Sequence, residues 1–422
     1  MTRTVHIIGA GLAGLAAAVR LASSSAKIVV HEATAHPGGR CRSFYDRAID
    51  MTIDNGNHLV LSGNHAVREF AQAIGSASAL VGPESADFPF VDLASGERWT
   101  LRINDGLPWW ILDNNRRVPG TRVGEYLRAG RLLRAAEGAT VGEVLDCSGP
   151  LYTRLLRPLL VAALNVEPPE GAASLAAAIV RETLGKGGVA CRPLIAREGL
   201  SHAFIEPALA HLRGRGVEVR LEHELHAVGF EDGRAARLDF GSDVVELGTD
   251  DVVIVAVPTH AASALLPGVS TPQGYRAIAN VHFRIAPPPG TPPMQGVVGG
   301  TTEWIFAFDG RLSVTISNAD RLMTMPRETL AQLVWEEVAK AVGSEAALPP
   351  WQIVRERRAT FVATPEQNAK RPGARTQWSN LFLAGDWTAT GLPATLEGAA
   401  RSGHRAAELV AALLKESTRS AA

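Results

Sequence analysis

Three glycines near the N-terminus have the spacing of a phosphate-binding turn. Gly9, Gly11 and Gly14 follow an apolar run at residues 5–8 and lead into an alanine-rich segment. In a strand–turn–helix unit of this kind, the first glycine permits the turn, the second lets a pyrophosphate approach the backbone, and the third lets the helix pack closely on the strand. The free N–H groups of the helix N-terminus favour an anion. The spacing therefore predicts a dinucleotide site.

A carboxylate follows at the place where such a site needs one. The next apolar run, residues 27–31, ends at Glu32, about 20 residues beyond the glycines, where an acidic side chain accepts hydrogen bonds from ribose hydroxyls. An acid here favours a free 2′-hydroxyl, and therefore FAD or NAD over NADP. A glycine-rich turn in an unrelated α/β protein is the alternative, and the order of strand, glycines, helix, strand and acid argues against it.

Two more glycine motifs suit the same ligand. The loop HPGGRCRSF contains Gly39, Arg40 and Arg42, and arginine offers planar donors to phosphates or to a flavin ring. Near the C-terminus, Gly385 and Asp386 follow a short apolar run, and a helix is expected to begin near residue 397. The aspartate would accept from a ribityl or ribose hydroxyl. A solvated turn and a loop or helix-cap aspartate are the simpler interpretations of each motif taken alone.

The stretch DNGNHLVLSGN, residues 54–64, concentrates polar side chains around a short apolar run. It follows the glycine–arginine loop, so we expect it to pass close to the bound cofactor. Asn55 and Gly56 would turn the chain, and Asn57 and His58 would face the cofactor or the reacting group. Residues 59–61 would then return to apolar packing.

Composition limits the kind of protein and its partners. The 422 residues are enough for two domains or one large enzyme, and a net charge of −1 gives no reason to expect nucleic acid as a partner. The three cysteines lie far apart without a C-x-x-C pair, so neither a disulfide framework nor a metal site is indicated. No run approaches the roughly 18 apolar residues of a membrane-spanning helix. We expect a cytoplasmic protein, either soluble or attached to the inner face of the cytoplasmic membrane.

Taken together, these motifs resemble the superfamily of flavin-containing amine oxidases and phytoene desaturases. The resemblance rests on GAGLAG, the acid at position 32, PGGR, the central VEVRLEHELHAV and the C-terminal AGDW…EGAARSG, and it covers most of the chain. DNGNHLVLSGN and AGDWTATGLPATLEGAARSG are similar to its squalene-associated FAD-dependent desaturase branch, whose members act as hydroxysqualene dehydroxylases. The resemblance implies FAD rather than NAD, and an α/β fold with a Rossmann-like FAD-binding domain and a mixed α+β substrate domain.

The resemblance also implies that the cofactor domain is discontinuous. Residues 1–85, 195–265 and 376–422 would form the FAD-binding domain, and residues 86–194 and 266–375 the substrate-binding domain. A strand end near Leu225 would give backbone contacts to the adenine. The residues expected to contact FAD are Gly9, Gly11, Gly14, Glu32, Gly39, Arg40, Arg42, Asn55, Gly56, Asn57, Leu225, Gly385, Asp386, Thr395 and Leu396.

The middle of the chain is where a lipid substrate would bind. Residues 151–184 are unusually apolar, with Pro158 starting or kinking a helix, and they would form a core helix of the second domain, a wall of an apolar tunnel, or both. Upstream, Trp109 and Trp110 precede six arginines between residues 116 and 134. Tryptophan beside arginine suits contact with membrane headgroups, while a solvated arginine face is the alternative.

The reaction implied by the resemblance converts the allylic alcohol hydroxysqualene to squalene, with a hydride from reduced flavin and loss of the hydroxyl as water. It needs an acid near the hydroxyl and a site that excludes water. His58 is the first candidate for the acid because histidine titrates near neutral pH. Asp54 is the second candidate and Glu397 the third. The histidine could instead be a hydrogen-bonded structural residue that supports the flavin.

Other functions stay open at the level of sequence. The chain has no second G-x-G-x-x-G, so the electrons would come from a separate donor. A phytoene-type desaturase would share the tunnel and the flavin. An amine oxidase is disfavoured because lysines are few and the loop GLPATLEG has no aromatic residue. A non-catalytic isoprenoid carrier would lack flavin, and the presence of Glu32, Arg40 and Asp386 favours the enzyme.

Overall fold

The computed structural model describes residues 3–420, with side chains to residue 416. Its strands are β1 (Thr4–Ile8), β2 (Lys27–His31), β3 (Ser43–Asp46), β4 (Met51–Asp54), β5 (Leu59–Leu61), β6 (Leu80–Val81), β7 (Ala86–Asp92), β8 (Arg98–Ile103), β9 (Pro193–Ala196), β10 (Glu218–Arg220), β11 (Ala227–Glu231), β12 (Arg234–Asp239), β13 (Val244–Glu246), β14 (Val252–Val255), β15 (Tyr275–Arg284), β16 (Met294–Val298), β17 (Trp304–Phe308), β18 (Arg311–Ile316), β19 (Trp351–Phe361) and β20 (Leu381–Leu383).

The α-helices lie between and after these strands. They are α1 (Leu12–Leu21), α2 (His65–Ala73), α3 (Val123–Ala129), α4 (Val141–Val144), α5 (Gly149–Leu151), α6 (Arg157–Leu164), α7 (Ala173–Glu182), α8 (Gly188–Cys191), α9 (Glu206–Gly214), α10 (Thr259–Leu265), α11 (Arg327–Val342), α12 (Pro365–Ala369) and α13 (Leu396–Ser420). Short 3₁₀ turns include Trp109–Leu112 and Gly130–Arg134, and π-helical turns occupy Tyr152–Leu156 and Ser201–Ile205.

A five-stranded parallel sheet in the order β10-β2-β1-β14-β20 forms the first half of the molecule. Its central strands are largely apolar because both faces of a parallel sheet are covered by helices, and the buried His6 of β1 is an exception. Helix α13 packs against α1, and a Cβ added at Gly403 would overlap the carbonyl oxygen of Ala13. The strands come from three separate ranges of the chain, as the predicted α/β fold with a discontinuous nucleotide-binding domain requires.

A seven-stranded mixed sheet in the order β19-β15-β18-β17-β16-β7-β8 forms the second half. One face carries Val281, Val314 and Ile316, which pack with Val334 and Trp335 of α11 in one apolar cluster. The opposite face is divided. Near β7 and β16 it is apolar and shares a large core with helices α5 to α7, and along β15 and β18 it is polar.

Alternation along β15 and β18 produces this polar face. Side chains of successive residues in a strand point to opposite sides, so the residues between the apolar ones share the other side of the sheet. All but one of them are almost completely buried, although nothing in their types requires burial. The polar face consists of Asn280, His282, Arg311, Ser313 and Thr315.

The predicted domain division stays a prediction, and its borders can be compared with the strands of the two large sheets. The border at 85 precedes β7, and the border at 265 coincides with the end of α10. The border after residue 194, however, cuts β9, which pairs with both β5 and β6. The border after 375 separates Arg375 from Phe382 of β20, although these two residues form a β-bridge. Both borders are better placed outside these strand pairs.

The apolar segment at residues 151–184 is a set of packed helices. Leu160, Val161 and Leu164 of α6 are buried in the core, and Pro158 stands in the first turn of α6, directly after a π-helical turn that the sequence did not predict. The core-helix interpretation of this segment is therefore correct. Among residues 3–420, no helix has the length and hydrophobicity needed to cross a bilayer.

Candidate active site

The first and third glycines of the N-terminal motif are required by contacts inside the protein. Gly9 has φ +106°, and a Cβ there would lie 2.6 Å from the carbonyl oxygen of Ala256. A Cβ at Gly14 would overlap the carbonyl oxygen of Gly9. These two positions close the turn and let α1 approach it, as the spacing predicted.

The second glycine has no such contact. A Cβ at Gly11 would have no protein atom within 4 Å, and one at Gly39 would meet only the Cα of Gly11, at 3.6 Å. Gly11 and Gly38 form a β-bridge that joins the two glycine loops at the N-terminus of α1, where no side chain caps the helix. Two side-chain-free backbones beside an uncapped helix N-terminus fit a phosphate group.

Glu32 has the partners of an oriented ligand-binding carboxylate. One oxygen accepts the N–H of Ala10 at 2.9 Å, and the other accepts the N–H and hydroxyl of Thr34 at 3.0 and 2.9 Å. A carboxylate offers about four acceptor sites, so it keeps capacity for a ribose hydroxyl. The loop after β10 runs beside it, because the N–H of His223 donates to the Glu32 carbonyl at 2.8 Å. Leu225 lies in this loop, five residues beyond the strand end at Arg220 rather than at it.

The structure pairs two residues that the sequence suggested as separate ligands. A terminal nitrogen of Arg40 lies 2.8 Å from each carboxylate oxygen of Asp386, and another donates to the carbonyl of Ala359 in β19. The pKa of Arg40 is raised, chiefly by the charge of Asp386. This pair joins the PGGR loop to the loop after β20 and to the second sheet. In contrast, the Nε of Arg42 is buried and has no hydrogen-bond partner in the described part of the chain.

Arg371 is a buried positioning residue that sequence reasoning missed. Its guanidinium donates to the carbonyls of Asp386, Trp387 and Thr388. These three hydrogen bonds fix the backbone of the loop after β20. Burial lowers its pKa to about 10. A single arginine in a polar stretch gives no signal of this role, since the acceptors are backbone atoms about fifteen residues later in the chain.

The predicted ligands at the start of α13 have partners within the protein. The hydroxyl of Thr395 accepts the N–H of Gly398 at 3.0 Å, which makes it a helix cap, and α13 begins at Leu396. Glu397 accepts the N–H groups of Ala66 and Val67 at 3.1 and 3.0 Å, at the N-terminus of α2. Thr395 and Leu396 are therefore left with backbone groups for a cofactor, and Glu397 is a poor candidate for the acid.

Asp54 is also a structural carboxylate. It accepts the hydroxyl of Ser43 at 2.6 Å and the N–H of Leu200 at 2.8 Å, and it lies 3.8 Å from Arg311 of the polar face. Its pKa is raised by burial. These contacts anchor the end of β4 and leave the carboxylate no free approach to a substrate.

The asparagines of DNGNHLVLSGN bind the polar face. Asn280 donates to the carbonyl of Asn55 at 3.3 Å and accepts the N–H of Asn57 at 3.4 Å. The Asn57 amide donates to the hydroxyl of Thr315 at 3.2 Å, and a Cβ at Gly56 would lie 3.3 Å from the Asn280 amide. The donor of the Asn57 amide is used on the second sheet, whereas its Oδ1 is buried without a hydrogen-bond partner among the described residues, so contact between Asn57 and the cofactor stays a prediction. We call this set of contacts the polar clasp.

His58 is the exception within this segment. Its ring makes no hydrogen bond to any residue in the described range 3–420, and it is partly buried beside the Arg40–Asp386 pair. Burial and then the charge of Arg40 lower its pKa to about 4, and Asp386 opposes this shift. The ring is therefore neutral near pH 7. Leu59–Leu61 continue as β5 against β9, as expected from their apolar character.

The family is decided by comparison with known proteins. Residues 12–411 match the family described as flavin containing amine oxidoreductase. The chain belongs to this family. Its flavin is FAD, which fits the glycine cradle, the oriented Glu32 and the unpartnered Arg42 Nε at the edge of the parallel sheet.

The branch suggested by the sequence motifs is confirmed by full-length relatives. The chain is 59% identical to hydroxysqualene dehydroxylase of Rhodopseudomonas palustris, over 98% of this chain and 99% of that protein. It is 57% identical to the hydroxysqualene dehydroxylase of Sinorhizobium fredii, over 97% and 98% of the two chains. A 15-cis-phytoene desaturase of an Oncidium hybrid is 23% identical, over 96% of this chain and 77% of that protein.

Solved structures agree with the fold. Cyclohexylamine oxidase from Brevibacterium oxydans superimposes with a TM-score of 0.75 at 18% identity, covering 98% of this chain and all of that one. A putrescine oxidase bound to putrescine gives 0.72 at 17% identity, with coverage of 98% and 99%. These similarities confirm the predicted amine-oxidase-like α/β architecture.

Proposed function

We propose that this chain is an FAD-dependent oxidoreductase that reduces hydroxysqualene to squalene. The observation that carries the proposal is identity of 45–59% to three hydroxysqualene dehydroxylases over 96–98% of the chain. Identity to phytoene desaturases is much lower, at 22–23%. The desaturase therefore remains the second candidate, and no contact in the site favours it over the dehydroxylase.

The reaction breaks a carbon–oxygen bond and forms a carbon–hydrogen bond. Bound in its reduced form, FAD would supply the hydride that reaches the carbon as the hydroxyl leaves. The hydroxyl takes up a proton and departs as water, and the protein must keep other water away so that hydride alone quenches the allylic cation. The chain supplies the cradle for the cofactor, the position of the hydroxyl and the path for the proton.

His58 is the residue that we assign to the hydroxyl of the substrate. Among the polar side chains of residues 54–64, it is the one without a hydrogen-bond partner in the described part of the chain, and it stands next to the Arg40–Asp386 pair. With a pKa of about 4 it is neutral near pH 7, so it carries one ring N–H. That N–H would donate a hydrogen bond that holds the hydroxyl, while the proton that converts the hydroxyl to water would come from solvent, since a neutral imidazole does not release its proton near pH 7. The polar clasp would hold the ring in place.

Electrons would reach the site from a separate donor. The sequence has one G-x-G-x-x-G, which the FAD site uses, and therefore offers no recognisable nicotinamide site. Reduction of the cofactor and reduction of the substrate would then be two separable half-reactions.

An anaerobic single turnover tests the function. The protein-bound flavin is photoreduced, hydroxysqualene is added, and squalene is quantified together with reoxidation of the flavin. Equal amounts of squalene and oxidised flavin are expected. Unchanged hydroxysqualene, together with desaturation of phytoene by the oxidised protein, would replace the proposal with the desaturase.

The role of His58 is tested by His58→Ala, with His65→Ala as the matched control. His65 is an exposed histidine seven residues away. His58→Ala should keep its yellow flavin and lose dehydroxylation, while the control keeps both. Loss of FAD from His58→Ala would make the residue structural, and full turnover would remove it from the mechanism.

A further inference from the structure

Exposed large apolar side chains are concentrated in one part of the molecule. Nine such residues occur among those described, and six of them lie in residues 107–133 or at residue 189. The most exposed are Leu127 at 67%, Leu107 at 66% and Trp109 at 63%. Single exposed hydrophobic residues are ordinary, but a cluster of this kind marks a contact surface. The six residues are Leu107, Trp109, Leu112, Leu127, Leu133 and Val189.

Backbone contacts bring these segments together. Asp105 forms a β-bridge with Gly187, and the N–H of Gly188 donates to the carbonyl of Asn104 at 2.8 Å. Val189 therefore lies beside the loop that carries Leu107 and Trp109.

The exposed tryptophan is held on a rigid support. Trp110 is 3% exposed and meets the ring of Tyr126 edge-on at 5.2 Å between centroids. The Tyr126 hydroxyl in turn accepts the N–H of Val118 at 3.1 Å. Of the predicted Trp109–Trp110 pair, one ring therefore anchors the loop and the other is presented to the outside. The neighbour of Tyr126, Leu127, is exposed in the same way.

The charge of this region differs in sign from that of the rest of the chain. Residues 104–135 contain six arginines and three acidic residues, a net charge of +3, whereas the whole chain has −1 and the remainder therefore −4. Four exposed arginines have no ion-pair partner in the described part of the chain, so their charges face solvent. They are Arg122, Arg128, Arg131 and Arg134.

We propose that this arginine–tryptophan surface, formed by the six apolar residues and the four unpaired arginines, binds the face of an anionic lipid bilayer. Tryptophan and leucine enter the headgroup layer while arginine guanidinium groups pair with lipid phosphates. Each basic residue near an anionic surface adds to the attraction, and a region of +3 on an otherwise acidic protein orients the molecule toward it. The protein is then peripheral, on the inner face of the cytoplasmic membrane.

The chemistry favours lipid over a protein partner. The exposed tryptophan and leucines are interspersed in sequence with six arginines, a combination typical of contact with an anionic headgroup layer. The binding stands on these residues alone. Only its purpose, access to a substrate dissolved in the membrane, rests on the proposed function.

Vesicle sedimentation tests the proposal with the full-length flavin-loaded protein. The wild type should bind phosphatidylcholine vesicles that contain phosphatidylglycerol, and bind pure phosphatidylcholine vesicles weakly. The triple variant R128Q/R131Q/R134Q should bind the anionic vesicles roughly a hundredfold more weakly, since each arginine contributes a factor of about five. The variant L107S/W109S/L127S should lose binding to both kinds of vesicle.

The matched control changes exposed apolar residues elsewhere. Leu221 and Val244 are 42% and 50% exposed and belong to the nucleotide-binding half, so L221S/V244S should bind like the wild type. Flavin content and thermal unfolding of all variants establish that they are folded. Equal vesicle binding by wild type and both surface variants overturns the proposal. So does a wild type that sediments as a dimer through this surface and ignores vesicles.

Turnover in detergent micelles separates this proposal from the proposed function. Both surface variants should turn over hydroxysqualene like the wild type in micelles and more slowly from vesicles. If the wild type fails to turn over in micelles but binds anionic vesicles, the function is wrong and the surface stands. If turnover from vesicles is unaffected in both variants, the role of this surface in substrate access is overturned, whereas the binding itself is decided by the sedimentation experiment.

Discussion

Two regions place their polar groups by opposite means: the polar clasp on the second sheet, and the end of the first sheet that carries Gly9, Gly11, Gly14, Glu32 and Gly39, which we call the nucleotide edge. At the nucleotide edge, the groups offered to a ligand are backbone N–H groups, which stay accessible because glycine has no side chain. The glycines of each loop are close together in sequence. In the polar clasp, the important atoms belong to side chains, and Asn57 and Asn280 are more than two hundred residues apart. The first arrangement is local and the second depends on strand pairing.

The two regions also differ in what they leave unpaired. Gly11 and Gly39 face outward with no side chain, and Arg42 has an orphaned nitrogen. In the clasp, the donor of Asn57 is used on the protein, whereas the Oδ1 of Asn57 and, on the same polar face, the Nε2 of His282 are buried without a hydrogen-bond partner among the described residues. The first region leaves backbone groups open to a ligand, and the second uses most of its polar atoms to hold a loop and leaves single side-chain atoms unpaired.

The largest expected effect separates the inner from the outer glycines. Gly14→Ala places a methyl group on the Gly9 carbonyl oxygen, so α1 must move away from the turn at a cost of about 3 kcal/mol or more. Gly11→Ala meets no protein atom within 4 Å and should leave the flavin-free protein as stable as the wild type while weakening FAD binding. Thermal unfolding and flavin content measure the two effects. Equal loss of stability in Gly14→Ala and Gly11→Ala would contradict this separation of glycines required by packing from glycines left open to the cofactor.

The next effect concerns the anchor of the clasp. Asp54→Ala removes the partner of buried Arg311 and the acceptor for Ser43 and Leu200, and breaking such a buried pair costs about 3–5 kcal/mol. Glu366→Ala is the control, because the pair that Glu366 forms with Lys370 is exposed and worth about 0–1 kcal/mol. Urea unfolding gives both values. An Asp54→Ala variant with normal stability but no dehydroxylation would restore Asp54 as a candidate acid.

The nucleotide edge could be predicted in detail because its signals are local. The glycine spacing, the acid at position 32 and the strand that precedes them are all fixed by neighbours in sequence, and each lies where the spacing requires. What could not be predicted was the pairing of Arg40 with Asp386 and the clamp by Arg371. Both depend on how the last strand is placed in the sheet, and charge complementarity alone does not choose one partner among many.

Only one side of the polar clasp could be recognised in the sequence. The unusual segment DNGNH stood out, but its partners did not, since alternation in β15 and β18 would ordinarily place polar residues in solvent. Burial of Asn280 and His282 shows that this face is covered. Two signals taken together could have predicted this contact. One is the polar side of the alternating strands β15 and β18, and the other is a polar loop elsewhere in the chain that has no evident partner.

A moderate effect is expected from the centre of the clasp. Asn280→Ala removes the donor to Asn55 and the acceptor for Asn57 and Thr315, and leaving such buried groups unpaired costs about 1–3 kcal/mol. The rate of dehydroxylation should fall together with the stability, because the ring of His58 loses its support. Asn114→Ala, at an exposed position, is the control for stability and activity. Full activity in Asn280→Ala would show that the clasp does not position the histidine.

The smallest effect is a pH dependence that both regions should share. Burial lowers the pKa of His31, beside Glu32, and of His282, on the polar face, from 6.5 to about 3. A histidine that is neutral when folded stabilises the protein above the unfolded pKa, and this contribution is lost as pH falls below 6.5. Between pH 7 and pH 5 the loss reaches up to about 2 kcal/mol for each ring.

His31→Asn and His282→Asn should each flatten the decline in urea-unfolding free energy, while His202→Asn, at a half-exposed side chain, should not. A decline flattened by His31→Asn alone would mean that protons reach the polar face without unfolding, and the clasp would then be looser than the nucleotide edge.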